Sequence, residues 1–288
     1  MAEHINHNSC KTELLKFSTG LTHPPFPPHR LHTHEICELY HIVRGSGHYI
    51  TEGSRHELKA GRIILMRPGE MHMAELTDEE VYETAIFHFS PAIVDGFDPS
   101  RRLLAPFFDR PLGQCNVYDR AALATTDIYS LFQKSRERHE NDYDNQVHVS
   151  SILIGILEQL KTLFDSEQYT VSSKSSDVMH NVVAYVNQNL TQNLTSEQIC
   201  EEFNFSRAQM DRNFKSTTGS TIRAYITTKR LLMAKAYLRE GMCATEAAAA
   251  CGFQNYSTFY RAYAKHFGTT PSGIPTAQDS HAAILYRD

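Results

Sequence analysis

The chain writes one small unit twice. Thr195–Gly219 reads TSEQICEEFNFSRAQMDRNFKSTTG, and Ala244–Gly268 reads ATEAAAACGFQNYSTFYRAYAKHFG. Aligned from their C-terminal ends, Met210 meets Phe259, Arg212 meets Arg261, Phe214 meets Tyr263 and Gly219 meets Gly268. Upstream, after one extra residue in the second turn, Cys200 meets Ala248 and Phe205 meets Phe253. Each copy predicts a short helix, a tight turn and a second helix that carries an arginine and stops at a glycine. That is the order of a helix-turn-helix, whose second helix has the dimensions to enter a DNA major groove.

Local chemistry supports both copies. Thr195 followed three residues later by Gln198 is a capping-box pattern. Ser206 caps the second helix, on which Met210 and Phe214 face inward. Arg207, Ala208, Asp211, Arg212 and Lys215 are left outside. In the second copy Asn255, Ser257, Thr258, Arg261 and Lys265 take the outer side. Between the copies, Thr221–Arg239 reads as one helix with Ile222, Tyr225, Ile226, Leu231, Ala234 and Leu238 inside and Gly241 after its end. At 1.5 Å per residue it spans roughly 28 Å, close to the ~34 Å repeat of B-DNA. Val178–Leu190 predicts a further helix before the first copy.

Composition suits such a module joined to something else. The net charge of −5 divides unevenly: residues 178–288 carry +3 and residues 1–177 carry −8. At 288 residues the chain is long enough for two domains. Six cysteines lie scattered with no CxxC spacing, which points to reduced thiols rather than a disulfide framework or zinc site. No apolar run approaches the ~20 residues of a membrane span and no signal peptide opens the chain, so a cytoplasmic protein with no membrane partner is expected.

The N-terminal part has a different texture. Residues 1–31 are rich in Pro and His and predict a partly extended arm. From His32 to about Ser90, short runs of β-forming residues alternate with glycine turns (Gly45, Gly47, Gly53, Gly61, Gly69), the pattern of a small barrel or jelly roll. Within it stands His32-x-His34-x3-Glu38-x6-Gly45, followed by Pro68-Gly69-Glu70-Met71-His72. On a regular strand His32, His34 and Glu38 share one face, and a second strand near His72 supplies a fourth group. Three imidazoles and a carboxylate suit a divalent transition metal; they also suit the polar lining of a small-molecule pocket, and the pattern leaves both open. His88 is expected to be a satisfied core histidine. Helical periodicity follows from about Arg120 to Phe164 in two stretches, with Arg136–Asn145 as their connection. These helices either form a dimer seam or cover the barrel. Asp165–Asp177 is serine-rich and aperiodic, the best linker in the chain.

The HxH–Glu–Gly pattern resembles the first motif of the cupin family, with the second motif matched loosely. The C-terminal residues resemble the AraC-type (arabinose-regulator) family over Val178–Pro271, through Phe203-x-Phe205-Ser206, Arg212-x-Phe214-Lys215, Gly219, Arg230-Leu231-x2-Ala234-x3-Leu238, Gly252-Phe253, Phe259-x-Arg261 and Phe267-Gly268-x2-Pro271. Two departures stand out: alanines at 247–250 where the family has larger aliphatics, and Ser272-Gly273-Ile274-Pro275 where it often has Tyr-Arg. The first predicts a thinner, softer core in the second unit; the second predicts a frayed tail.

The resemblance implies an α+β multidomain fold. Residues 1–118 form a cupin-like β-barrel that binds the effector, 119–165 a helical pair used for dimerisation, 166–177 a linker, and 178–288 an all-α DNA-binding domain with tandem helix-turn-helix units. It implies a sequence-specific activator, often of sugar-utilisation genes, with double-stranded DNA, a small-molecule effector, a second copy of itself and RNA polymerase as partners. No catalytic residue and no cofactor is expected, a divalent metal in the barrel apart. Arg207, Ala208, Asp211 and Arg212 would face one groove and Asn255, Ser257, Thr258 and Arg261 the next. In this scheme Arg212 and Arg261 read bases, while Lys215 and Lys265 touch phosphate. His32, His34, Glu38 and His72 would line the effector site. Two alternatives remain, a metal-responsive regulator and a metal-dependent cupin enzyme fused to a DNA-binding domain.

Overall fold

A computed structural model of the chain describes residues 4–26, 31–77, 80–166 and 178–273. It divides into two compact units, Met1–Ser175 and Ser176–Asp288. The expected linker beyond residue 166, the arm residues Pro27, Pro28 and His29, and the tail after Gly273 lie outside the described residues.

Among its described residues the first unit is built on nine antiparallel strands: β1 (His4–Lys11), β2 (Leu15–Thr22), β3 (Cys37–Arg44), β4 (Gly47–Thr51), β5 (Ser54–Glu57), β6 (Ile63–Met66), β7 (His72–Leu76), β8 (Tyr82–Phe89) and β9 (Val117–Tyr118). They form a six-stranded sheet in the order β1-β2-β8-β3-β6-β9 and a three-stranded sheet in the order β5-β4-β7. β3 organises both layers because it is buried on both faces over its first six residues. Cys37 and Leu39 point toward Phe17, Leu65 and Phe87 in one core. Tyr40 and Ile42 point the other way, toward Tyr49, Leu58, Ile64, Met66, Ala74 and Tyr82 in the core between the two sheets. Period-two alternation therefore buries both side-chain sets of one strand, the polar Glu38 and His41 included.

Two expectations are corrected here. The N-terminal 31 residues are not merely an arm: β1 and β2 form a hairpin, and β2 pairs with β8 from Leu15↔Phe89 to Thr22↔Tyr82. Leu15 and Phe17 are fully buried, whereas β1 is an edge strand with mostly exposed side chains, so its sequence carries little apolar pattern. Asn8 is its exception. Buried, its amide donates to the Ser135 carbonyl at 2.8 Å and exchanges hydrogen bonds with Asn145. The supposed connection 136–145 is also shorter than expected, because the helix already starts at Asp142, with the Asn141 side chain accepting from the Asp144 amide.

Helices α1 (Ala105–Phe108), α2 (Ile128–Lys134) and α3 (Asp142–Asp165) cover the outer face of the large sheet. α3 is long and apolar enough, by length and composition, to cross a membrane. Its apolar stripe (Val149, Ile152, Leu153, Ile156, Leu157, Leu160, Leu163) is instead committed to the sheet core. Tyr143 and Val147, one turn apart, remain exposed.

The second unit contains α4 (Val178–Gln188), α5 (Ser196–Glu202), α6 (Arg207–Thr218), α7 (Ile222–Arg239), α8 (Ala244–Ala250) and α9 (Tyr256–Phe267). The repeat is visible in its caps. Thr195 and Ser206 each complete a capping box, and Gly219 and Gly268 end α6 and α9 in the left-handed conformation at φ +74° and +69°. Gly252 has no alternative: at φ +79°, a Cβ there would lie 2.9 Å from the carbonyl oxygens of Leu190 and Thr191. Arg230 ties the same turn down, donating from Nε to Leu190 O and from Nη2 to Gln192 O, both at 2.7 Å. The alanine-rich α8 buries Ala247, Ala248 and Cys251 against Leu231, Ala234, Leu238, Phe259 and Tyr263. Small residues on α8 are met by aromatic rings on α9, with Tyr263 and Phe267 centroids 4.5 Å apart. Bulk is thus transferred across the interface.

Two outcomes are expected. His41, on the helix-facing side of β3 with its ring 4.1 Å from that of Phe132, has its pKa pushed down to about 4 by burial, with Arg136 adding to the effect. The unfolded chain binds this proton near pH 6.5 and the folded one does not, so its contribution is full above that pH and is lost on acidification. Between pH 7.5 and 5 the loss is about 2 kcal/mol. Urea unfolding of wild type and His41→Gln at both pH values should show that much less pH dependence in the variant. Cys243 occupies the N-cap of α8 at φ −69°, ψ 153° without a side-chain cap bond. Cys243→Ser should therefore stabilise the second unit by about 0.5–1 kcal/mol, read as a higher melting temperature for its transition.

Candidate ligand site and nucleic-acid interface

Glu38 enters β3 at its second residue, with its side chain on the inter-sheet side. Its register partner across the sheet is His88 of β8, so the two side chains are direct cross-strand neighbours. His72 opens β7 opposite Thr51. His34 sits just ahead of the bend at residues 35–36 that precedes β3. Three imidazole Nε2 atoms converge on one oxygen, Glu38 Oε2: His34 at 2.6 Å, His88 at 3.1 Å and His72 at 3.3 Å. The other oxygen, Oε1, accepts from the Tyr49 hydroxyl at 3.4 Å. Glu38 and His72 are buried, while the side chains of His34 and His88 are 20% and 22% exposed. The cluster is thus reached from solvent past those two rings.

The electrostatics are dominated by a buried carboxylate. Burial pushes the Glu38 pKa up, but the imidazoles of His88, His72 and His34 hold it well below the usual carboxylate range. Burial works against charge on His72, yet the Glu38 carboxylate outweighs it and raises its pKa. For His34 burial wins and the pKa falls, in spite of the Glu38 bond. Nδ1 of His34 lies 2.8 Å from Ile36 O and Nδ1 of His72 lies 2.8 Å from Glu70 O. Both rings are therefore oriented by the backbone on their far side.

The loop that holds His72 rests on a buried ion pair. Arg110 reaches both Glu70 oxygens, Nη1 to Oε1 at 2.7 Å and Nη2 to Oε2 at 2.6 Å. Glu70 also accepts from the amides of Gly113 and Arg67 at 2.9 Å each, and the Met71 amide donates to Glu52 Oε1 at 2.6 Å.

The expected four-residue set is partly redrawn. The strand does not begin until Cys37, so the i, i+2 argument for His32 and His34 fails. His32 pairs through its backbone with His72, and its exposed ring packs edge-on against the His72 ring at 4.4 Å. It sits at the rim. His88, expected to be a core residue, faces Glu38 instead. Its alternation along β8 was visible, but what lies across from it depends on register.

On the second unit, Arg207, Ala208, Asp211, Arg212 and Lys215 of α6 are exposed, as are Asn255, Ser257, Thr258, Arg261 and Lys265 at the N-cap of α9 and along it. Four of their side chains already have partners, Arg207 and Asp211 being one another's. Arg207 is paired with Glu197 and, at 3.1 Å, with Asp211. Asn255 accepts from the Thr258 amide at 3.2 Å as N-cap. Arg261 Nε donates to Ser257 O at 3.3 Å. Tyr256 and Tyr260 add exposed aromatic surface to α9.

A β-rich unit with a polar cluster at an accessible rim, followed by a unit with two helix-turn-helix repeats, has the make-up of a ligand-binding, DNA-binding regulator. Comparison with known proteins places it further. Residues 22–157 match the AraC-like ligand binding domain and residues 199–274 match a helix-turn-helix domain. The chain belongs to the AraC-type transcriptional regulators. Among its relatives, the HTH-type transcriptional activator RhaS of Escherichia coli (strain SE11) is 23% identical over 255 residues, 88% of this chain and 89% of that one. ToxT from Vibrio cholerae O395 is 15% identical, covering 91% of this chain and 96% of its own, with a TM-score of 0.35. The DNA-binding domain of AdpA, solved with a target DNA, is 28% identical over 34% of this chain and 88% of its own, with a TM-score of 0.33.

Arg110→Met should cost roughly 3–5 kcal/mol, since it strands the Glu70 carboxylate in the interior. The check is the urea midpoint of the N-terminal unit's unfolding transition, with the second unit's transition unmoved.

Proposed function

We propose that this chain is a homodimeric transcription activator in the cytoplasm, in which a small molecule bound to the N-terminal unit controls how two helix-turn-helix units read DNA. The observation that carries the reading is the matched pair of recognition helices: α6 and α9 each open on a side chain that accepts from the N3 amide, share length and glycine stop, and each presents an arginine at the same position, Arg212 and Arg261. A guanidinium forks onto guanine O6 and N7, so these two read bases. Lys215 and Lys265, one turn further on, touch phosphate. Arg207, Ala208 and Asp211 flank the first contact, and Asn255, Ser257 and Thr258 the second. α7, whose eighteen residues span about 27 Å, separates the units by a length that suits successive major-groove segments.

His34, Glu38 and His72 belong to the effector site, with His32 at its rim. Residues 166–177 serve as the linker between residues 1–165 and the DNA-binding part, 178–288. The function is control rather than catalysis, in keeping with relatives that are regulators. An activator acts on RNA polymerase, which makes that enzyme a partner. The exposed Tyr143–Val147 step on α3 is the apolar surface that remains for a dimer once the rest of the helix is packed on the sheet.

Arg261→Ala should weaken binding to the cognate site by about 1–3 kcal/mol, and Lys265→Ala should weaken cognate and random DNA alike. Fluorescence anisotropy at fixed salt decides it; an equal loss on both DNAs for Arg261→Ala rules out base reading.

A further inference from the structure

We infer that Arg230, seated against Gly252, is a positioning residue that holds the two helix-turn-helix units at one separation and rotation. The chain then selects DNA by the spacing of the two contacted segments as well as by their bases. The proposal deepens the DNA-reading function and rests on it for the consequence at the duplex. The clamp itself stands on geometry within the C-terminal unit.

α7 changes cores midway. Its first half packs on the first helix-turn-helix. There the Tyr225 ring meets Phe214 of α6 edge-on at 5.5 Å, and the Tyr225 hydroxyl donates to Asn187 Oδ1 of α4 at 3.1 Å. Its second half turns to α8 and α9, where Leu231, Ala234 and Leu238 join Ala248, Phe259 and Tyr263. Among the described residues that cluster takes nothing from α4, α5 or α6. Two cores strung on one helix keep a fixed angle only as far as the helix resists bending and the units also touch sideways.

Arg230 lies at the change-over and makes that sideways contact. Its half-buried guanidinium donates from Nε to Leu190 O and from Nη2 to Gln192 O, both at 2.7 Å, in the turn between α4 and α5. Against it lies the turn between α8 and α9. A Cβ at Gly252 would stand 3.1 Å from Arg230 Nη2 and 2.9 Å from the carbonyl oxygens of Leu190 and Thr191. A turn of the second helix-turn-helix thus touches a turn of the first, backbone to backbone, and glycine at φ +79° permits it. Two charge-assisted bonds from one planar fork fix direction as well as distance, which a single ammonium does not. Along B-DNA one base pair is a step of about 3.4 Å and about 35°. Recognition helices held at one angle cannot both follow such a step, so one of them loses its bases.

The experiment uses the full-length chain. Wild-type protein selects duplexes from a random pool, and the selected sequence is remade with one base pair inserted or removed between the two segments it protects. Wild type should bind the shifted duplexes at least about tenfold more weakly. Arg230→Met should narrow that gap at least about threefold. Arg230→Lys, which keeps the charge but not the fork, should narrow it too and stands in if Arg230→Met fails to fold. Leu238→Val loosens the second core away from the clamp, and should weaken all duplexes alike. A wild type indifferent to the shift, a gap unchanged in the Arg230 variants, or an equal loss at every spacing overturns the positioning role. The clamp is also read without DNA, as the distance distribution between nitroxide labels carried by unnatural amino acids at the exposed Ser216 of α6 and His266 of α9. The Arg230 variants should broaden it. A broadened distribution in a protein that selects no sequence would leave the clamp standing and overturn the DNA-reading function. Sequence selection with an unchanged distribution would do the reverse.

Discussion

The first unit is arranged around a carboxylate that has no business in an apolar interior. Glu38 sits on β3, which is buried on both faces over its first six residues, and its neighbours along that strand are Cys37, Leu39, Tyr40 and Ile42. An ionised group in such a place is tolerated only with positive partners and hydrogen bonds around it. The fold supplies them from three directions: His88 across the ladder, His72 from the opposing sheet and His34 from the entry bend. Each supplier is itself fixed. The β3–β8 register fixes His88, the Glu70–Arg110 pair supports the loop before His72, and the Ile36 carbonyl orients His34. The cost of burying Glu38 is the reason these otherwise separate features occur together.

How much of this could be read beforehand depended on the range of the interactions involved. The helix-turn-helix units were legible because caps and stops act over three or four residues. Thr195 with Gln198, Ser206 with Gln209, and Gly219 and Gly268 at the helix ends all bind their own neighbourhood. The two-domain α+β class was legible for the same reason, as periodicity changes along the chain. The candidate ligand site was half legible. His34, Glu38 and His72 stood out by spacing, but the face they share comes from a bend, a central strand and a strand of another sheet, not from one regular strand. His88 needed the β3–β8 register, and no pattern within β8 reports it. β1 was missed because an edge strand need bury little: Asn8, its one residue deep in the structure, is polar.

The alanine-rich helix shows how a local reading misjudges a shared surface. Counting methylenes on α8 alone predicts a thin core. Packing is a property of the pair of faces, and the opposite face carries Phe259 and Tyr263 where the first unit carries Met210 and Phe214. Large side chains opposite small ones keep interior density without added length on either helix. What the second unit lacks is not bulk but a cap, since Cys243 stands where the first unit has Thr195.

The same comparison separates the two reading heads. On α6 the exposed arginine at the helix start, Arg207, is held between Glu197 and Asp211; on α9 the corresponding position is Tyr256. The Arg207 network is solvent-exposed, so salt screens it and DNA phosphate can take the place of the carboxylates. The exchange is not neutral in its effect on recognition. Bringing a phosphate to Arg207 brings it toward two acids, and only a well-placed phosphate gains more from the guanidinium than it loses to them. Under the proposed reading, the first unit would demand accurate docking before it gains from contact. The second presents Tyr256, Tyr260 and Arg261 without a carboxylate paired to that arginine in the described residues. Under the same reading it would contact DNA without displacing a carboxylate. A tandem reader so divided would gain most of its selectivity where both units engage the same duplex, because the looser contact would set the register in which the tighter one is tested.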